Sequence, residues 1–589
     1  MTGIREQIII RCCLTAGAIV ALYFVLTVIA GISLSYSPVP FWDMWGGTLN
    51  FYLAVLDGNT NVWWTQHNEH RIILSRLLFW LDFQLAGGSG VLLLATHPIL
   101  AGLAAYVFYL FCRQLIIIEP DRARVLSLLC ATFFTAWLFQ WMQAENFTWA
   151  FQSQFFLAQL LPLLTCYLLA RSATTSTRPT LWFSAACVAG VASAGTMANG
   201  IICLPLMMVY ALVTRQSWQR VLVLAVLAAI TLSLYFRNYW APRGHGSVTQ
   251  ALLEQPLDLA QYVLLYIGTP FYFLLGAGIY TTAVAVVAMV ATVLMAIVVA
   301  CFLVTTTRAL LSGSRDPRKI WQLALVFYII YLAGTALGTG GGRLVFGVNQ
   351  ALAYRYTTPA LMAWAALFVL LIPGIVRHWR STRLVVVPAV VVLCYLMISL
   401  QLQALNSRQQ QIFERSLAAL ALELDIRDAP RILAVHEMSS ALIHIVDLAR
   451  RRELSVFGNY PLQGLREQLG RFYQAPEELP SCEGYLDIIA EVRGETEYHF
   501  IQGWLVNTTT RAPATLIRIV DSNNLTQGFA LGGQVRTDVA TAIGAYAETA
   551  GFGGYMTLPD TDSSIRLIAD NNACELGNPA LPEIAGELN

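Results

Sequence analysis

The residues with the capacity for chemistry are concentrated between Pro38 and Asp82, in PVPFWDMWGGTLNFYLAVLDGNTNVWWTQHNEHRIILSRLLFWLD. Asp43, Asp57, His67, Glu69, His70, Arg71, Arg76 and Asp82 fall there, in a chain that is only 12% charged. Trp42, Trp45, Trp63, Trp64 and Trp80 stand among them. Acids, histidines and arginines set between indole rings suit a membrane rim, where one end of a side chain is apolar and the other wet. The stretch reads as the active-site loop of a membrane enzyme.

Asp43 is the first candidate. A carboxylate framed by Trp42 and Trp45 just outside a membrane helix is partly desolvated, which moves its pKa towards that of a useful general base. The competing reading is an N-cap for the helix that GGTLNFYLAVL would form. His67, Glu69, His70 and Arg71 form the second group. On a helix, His67 shares a face with His70 and Arg71 while Glu69 points elsewhere. The pattern is not HExxH, so a hydrogen-bonding grip on a phosphate or sugar is preferred to a metal site, and a plain interfacial anchor is the bland alternative.

Glu145, in QAENFTW, is the third candidate and is expected to converge with Asp43 on one cavity. Gln140, Gln143, Asn146, Gln152 and Gln154 crowd the same rim, and amide-rich walls suit sugar hydroxyls; Gln143 and Trp42 are taken as substrate-binding. The fourth is LGTGGGRLVFGVNQALAYRYTTPAL, read as a loop. Gly338, Gly340, Gly341 and Gly342 would let backbone N–H groups approach an anion, while Arg343 and Arg355 supply permanent charge. A lipid-linked phosphate is the natural partner; headgroup contact or an ion pair with an outward acid is the alternative. Arg237, Arg243 and His245 form a weaker group of the same kind.

These groups need a scaffold, and the composition says what kind. An apolar fraction of 57% and a mean hydropathy of +0.59 lie far from soluble averages. Apolar runs of about 20 residues are transmembrane helices. The spacing predicts spans over 8–34, 91–112, 125–141, 153–170, 181–197, 200–214, 221–236, 276–306, 320–337, 357–376 and 384–402. EQPLDLAQYVLLYIGTPFYFLLG, interrupted by Pro256, Gly268 and Pro270, reads as an interfacial or re-entrant segment. A net charge of +1 gives no hint of a nucleic-acid partner.

Every second connection is short and basic: Arg5 and Arg11; Arg113, Arg122 and Arg124; Arg171 and Arg178; Arg215 and Arg220; Arg308 to Lys319; Arg377 to Arg383. By the positive-inside rule these face the cytoplasm, placing the N-terminus inside and everything after residue 402 outside. On that topology Cys482 and Cys574, apart from the nine cysteines in or beside apolar runs, lie in an oxidising compartment and are the candidate disulfide. Residues 406–480 read as an amphipathic helix and a mixed α/β connection. From residue 481 short alternating runs between turn clusters carry the pattern of a small all-β sandwich.

An acid (Asp43) in a long first outward loop, a second (Glu145) in the next, and Arg355-Tyr356-x-x-Pro359 at the start of a late span together resemble GT-C glycosyltransferases. The resemblance covers residues 1–405 and implies a polytopic enzyme that takes a sugar from a polyprenyl-phosphate carrier on the outer face of a bacterial inner membrane. It implies that Asp43 takes the proton from an acceptor hydroxyl, with Glu145 next in line. Arg343, Arg355 and Tyr356, with Arg237 and Arg243, would hold the donor phosphate, and His67, Glu69, His70 and Arg71 would position donor or acceptor. The DxD-like pair of some members is missing, since Met44 and Trp45 follow Asp43, which leaves a divalent metal open and gives no other cofactor. The acceptor is a cell-envelope glycan such as O-antigen, a lipid or a protein. The C-terminal region is similar to β-sandwich domains beside bacterial surface-glycan enzymes. A transporter or flippase, and a non-catalytic envelope glycan-binding protein, are the alternative classes.

Overall fold

The computed structural model describes residues 2–241, 244–276, 281–314, 316–474, 476, 478–558, 564–570 and 573–586. The chain forms two compact units. One is made of Met1–Ile32, Trp63–Leu78 and Leu93–Asn406, the other of Ser33–Val62, Phe79–Leu92 and Ser407–Asn589.

The first unit is helical. Among the described residues, eight helices are long and apolar enough to cross a membrane: Ile10–Leu34, Val91–Leu115, Ser153–Thr174, Trp218–Phe236, Thr282–Leu311, Pro317–Phe346, Tyr354–Arg377 and Trp379–Leu405. The pair Pro120–Leu138 and Trp141–Thr148, bent by 42°, makes a ninth if taken as one span. The apolar runs expected over 181–197 and 200–214 are the shorter helices Pro179–Ser193 and Ala198–Val213. Eight or nine helices therefore have spanning length where eleven spans were expected. The chain is a multi-pass helical membrane protein.

Ser153–Thr174 is the central helix, with 78% of its most apolar window buried against 11% for Trp379–Leu405. Its sequence explains this position. Pro162 has no N–H, so the carbonyl of Ala158 loses its partner within the helix; the Tyr331 hydroxyl donates to that carbonyl at 2.7 Å. Tyr328 donates to the neighbouring Gln159 carbonyl at 3.0 Å. In hydrocarbon every freed carbonyl needs such a donor, so the proline is tolerable only in the packed middle of the bundle.

The segment expected to be interrupted by prolines is one continuous helix, Pro256–Leu274. Pro256 occupies its first turn, where a missing N–H costs nothing. Pro270 frees the Tyr266 carbonyl, which accepts from the Thr269 hydroxyl at 3.0 Å. The glycine-rich run expected to be a loop is helical too, as the last turns of Pro317–Arg343. Two of its glycines serve packing: a Cβ on Gly341 would stand 2.6 Å from Val248 Cα, and one on Gly340 would stand 2.8 Å from Leu259 Cδ1, whereas Gly338 and Gly342 face open space. Its backbone N–H groups inside the helix are therefore taken up by the helix itself rather than offered to an anion.

The second unit holds one eight-stranded sheet, where a two-sheet sandwich was expected. In chain order its strands are β1 (Cys482–Glu491), β2 (Tyr498–Asn507), β3 (Leu516–Asp521), β4 (Thr526–Gln534), β5 (Gly551–Thr557), β6 (Ile565–Ala569), β7 (Cys574–Gly577) and β8 (Ile584–Ala585). Their spatial order is β7-β6-β3-β4-β5-β2-β1-β8. Only β1 and β8 run parallel. The sheet curls into a half-barrel until β7 meets the start of β1: Glu575 N–H donates to the Pro480 carbonyl at 2.8 Å, and a disulfide joins Cys482 to Cys574. One face packs on itself through Leu486, Ile501, Ile519, Phe552, Met556 and Leu567. The other is covered by helix Gln409–Leu424, which sets Phe413 and Leu417 among Phe500, Phe529 and Tyr555. A helix on the second face removes the need for a second sheet.

The same core takes in residues from early in the chain. Trp45, Leu49, Tyr52, Leu53 and Phe83 pack with Leu420, Ile445 and Phe457. Within it Glu423 is buried, its Oε1 accepting from the Arg466 N–H at a long 3.5 Å. Burial pushes its pKa up to about 7, against the opposing pull of the Arg466 N–H and the Arg450 charge. Below about pH 4.5 the carboxyl is protonated folded and unfolded alike, so the penalty grows as pH rises towards 7. Glu423→Gln is therefore expected to stabilise this unit above pH 7 by about 2–3 kcal/mol and to change nothing at pH 4. Denaturant unfolding at the two pH values checks this; equal midpoint shifts at both would contradict it.

Candidate active site

The loop after Val62 is held by two arginines that donate to backbone carbonyls. Arg71 is buried and gives its guanidinium to three carbonyls: Nε to Tyr235 at 2.8 Å, Nη2 to Arg237 at 2.7 Å, and Nη1 to Trp64. Arg76 donates to the carbonyls of Trp63, at 3.1 Å, and Thr65. Gln66 joins the same two segments, donating to the Trp240 carbonyl at 2.6 Å and accepting from its N–H at 3.3 Å. Arg71, expected at a substrate, is thus committed to pinning residues 64–71 against 235–240.

Within that loop His67 to His70 is a tight turn, where a helix was expected. The two histidines exchange backbone hydrogen bonds of 2.8 and 2.9 Å across Asn68 and Glu69. Asn68 takes the left-handed conformation (φ 49°) that this turn needs and asparagine tolerates. The turn aims Glu69 into a cluster that includes its neighbour His70. Glu69 Oε1 lies 3.3 Å from Arg343 Nη2 and 3.5 Å from His70 Nε2; Oε2 lies 3.3 Å from His245 Nδ1. Its own carbonyl accepts from the Tyr235 hydroxyl at 2.9 Å.

The charges in this cluster are set by their surroundings. Burial pushes the Glu69 carboxyl up, but His70, Arg343 and His245 outweigh it and hold the group below the usual carboxylate range. His70 is pushed down to about 4, chiefly by burial, against the pull of Glu69. It is therefore neutral at pH 7. Its Nδ1 accepts from the Ala198 N–H at 3.1 Å, so its proton sits on Nε2, facing Glu69.

The second ion pair joins the other two loops. Glu145, in the first turn of Ala144–Thr148, accepts from Arg355 twice: Oε1 from Nη1 at 3.1 Å and Oε2 from the backbone N–H at 3.2 Å. Asn146 donates to the Arg355 carbonyl at 2.8 Å and to the Thr358 hydroxyl at 2.7 Å. Thr358 in turn donates to Gln143 Oε1 at 2.6 Å. The Arg355 guanidinium lies 5.3 Å from the centre of the Tyr356 ring, which stacks on Tyr266 at 5.2 Å. Both carboxylate oxygens of Glu145 are thus occupied in orienting Arg355.

Arg343 ends one helix and Arg355 stands just before Thr357–Arg377, so they bracket a single connection on one side of the bundle. Glu69, Glu145, His70 and His245 are drawn to that rim with them. Asp43 lies in the second unit, at the start of the helical segment that continues through Trp45–Leu49 and Asn50–Leu56. Trp42 is there too, left-handed at φ 46°, its N–H donating to the Val435 carbonyl at 2.7 Å and its ring beside His436. Arg237 is exposed, and Arg243 lies outside the described residues. Among the described residues no three His, Cys, Asp or Glu side chains are placed to share a metal ion. Tyr235 and Ala198, which orient Glu69 and His70, were not anticipated; both sit in or beside apolar helices, where nothing local marks them.

No family model and no curated protein sequence matches the chain. Among solved structures, it is similar to the archaeal oligosaccharyltransferase AglB from Archaeoglobus fulgidus, in complex with an inhibitory peptide and a dolichol-phosphate, at 12% identity and a TM-score of 0.39. The similarity covers 71% of this chain and 59% of that one, so the chain spans less than two thirds of its length.

Proposed function

We propose that this chain is a membrane glycosyltransferase of the GT-C kind. It moves a sugar from a polyprenyl-phosphate carrier to an envelope glycan, lipid or protein acceptor on the outer face of the membrane. The observation that carries this reading is the pair Arg343 and Arg355 on one rim, each steadied by a carboxylate. Two permanent cations at the wet ends of apolar helices suit a phosphate whose tail lies in lipid. As the anomeric carbon leaves the phosphate, charge grows on the leaving oxygen, and fixed guanidinium groups stabilise that charge more than the ground state. The buried amides of Gln143 and Asn146 hold this rim together, and the half-barrel would dock the acceptor.

Sugar transfer in membranes supplied with polyprenyl-phosphate-linked sugars tests the proposal. Donor consumption and a labelled acceptor are expected with the wild-type chain and not in its absence. If donor is never consumed, the transporter and glycan-binding readings replace this one.

A further inference from the structure

Glu69 Oε1 accepts from Arg343 at 3.3 Å, whereas Oε2 accepts no hydrogen bond and lies beside a histidine. Arg343 has no acceptor to offer. The remaining partner, His245, faces Glu69 Oε2 through Nδ1 at 3.3 Å. A carboxylate in that position favours the Nδ1–H tautomer, in which Nε2 carries the lone pair. Phe346 stands edge-on to the ring at 6.2 Å and limits its rotation. The His245 side chain is 17% exposed, which makes it reachable yet largely out of water. The titratable and charged groups around this pair are Arg343, His70, His67, Tyr235 and Tyr239.

A partly exposed histidine set against a carboxylate, beside a cationic rim, has the arrangement of a general base. We infer that His245 is the group that takes the acceptor proton, with Glu69 as its positioning residue. The inference rests on the transferase reading and puts His245 in the role that the sequence suggested for Asp43. In the step, His245 Nε2 removes the proton from the acceptor hydroxyl as that oxygen bonds to the anomeric carbon. The bond from the anomeric carbon to the phosphate oxygen breaks, and its electron pair leaves on the lipid phosphate beside Arg343 and Arg355. The imidazolium, paired with Glu69, returns its proton to water, and no electrons are exchanged.

The experiment compares transfer by wild type, His245→Ala, Glu69→Gln and Asp43→Asn in membranes, with binding of unlabelled polyprenyl phosphate measured alongside. His245→Ala is expected to lose transfer on the order of 10²–10⁴-fold, to bind the probe as wild type does, and to regain activity with added imidazole. Glu69→Gln is expected to lower kcat while leaving the KM for donor near the wild-type value, because the imidazole loses the charge that orients it. Transfer that survives in His245→Ala, or that is lost together with probe binding and not rescued by imidazole, overturns the inference. So does loss confined to Asp43→Asn. A wild-type chain that binds no polyprenyl phosphate and moves no sugar overturns the transferase reading itself, and the assignment falls with it.

Discussion

Replacing Arg355 by glutamine is expected to lower kcat/KM for a polyprenyl-phosphate-linked donor by about 10²–10³-fold. Arg355 is fixed at both ends: its guanidinium by Glu145 Oε1 and the Tyr356 ring, its backbone N–H by Glu145 Oε2 and its carbonyl by Asn146. A group held in this way pays little to reorganise when charge develops on a leaving phosphate. Glutamine keeps much of the length and some hydrogen bonding but removes the charge, and it leaves Glu145 without its cation. Arg355→Lys should recover only part of the rate, because an ammonium cannot hold Glu145 and still present a planar fork to phosphate. Initial rates over a range of donor concentrations provide the check. An unchanged kcat/KM in Arg355→Gln would remove this residue from the donor site.

The second large effect is on stability. Arg71→Ala is expected to destabilise the membrane unit by about 3–5 kcal/mol. It strips the donor from the carbonyls of Trp64, Tyr235 and Arg237, and the side chain it removes is buried. Those carbonyls lie where two loops meet, so water that solvates them must also part the loops. Arg71→Lys can satisfy at most part of the set, since one ammonium replaces a fork reaching three carbonyls. Thermal unfolding in detergent distinguishes the variants, and an Arg71→Ala midpoint equal to wild type would show that the clamp is dispensable.

What the sequence disclosed follows from where its signals are local. Apolar runs are local, and each expected span falls on a helix, down to the short Pro179–Ser193 and Ala198–Val213. Rare charges in an apolar chain are local too, so Glu69, Glu145, Arg343 and Arg355 stand out individually. Their partners do not: Glu69 meets Arg343 across 274 positions, and no spacing rule reaches that far. The glycines at 340 and 341 were misread because a glycine-rich run signals both a loop and a close helix crossing. Only the neighbours Val248, Leu259 and Tyr262 decide between them. His67 to Arg71 was given helical periodicity, whereas the left-handed Asn68 closes a turn and aims Glu69 elsewhere. Alternating runs after Cys482 reported strands correctly but not what covers their second face, which turned out to be a helix from before the sheet.

The second unit is assembled from three stretches of chain, 33–62, 79–92 and 407–589, with most of the membrane helices encoded between them. During synthesis Trp45, Leu49, Tyr52 and Phe83 are made early, yet the surfaces they pack on, around Leu420 and Phe457, are made several hundred residues later. The early stretch must therefore wait, partly unburied, until the residues from Ser407 onward have been made. A fragment beginning at Ser407 would lack those side chains and expose the apolar surface they cover. The second unit therefore cannot close on a chain that stops before residue 407.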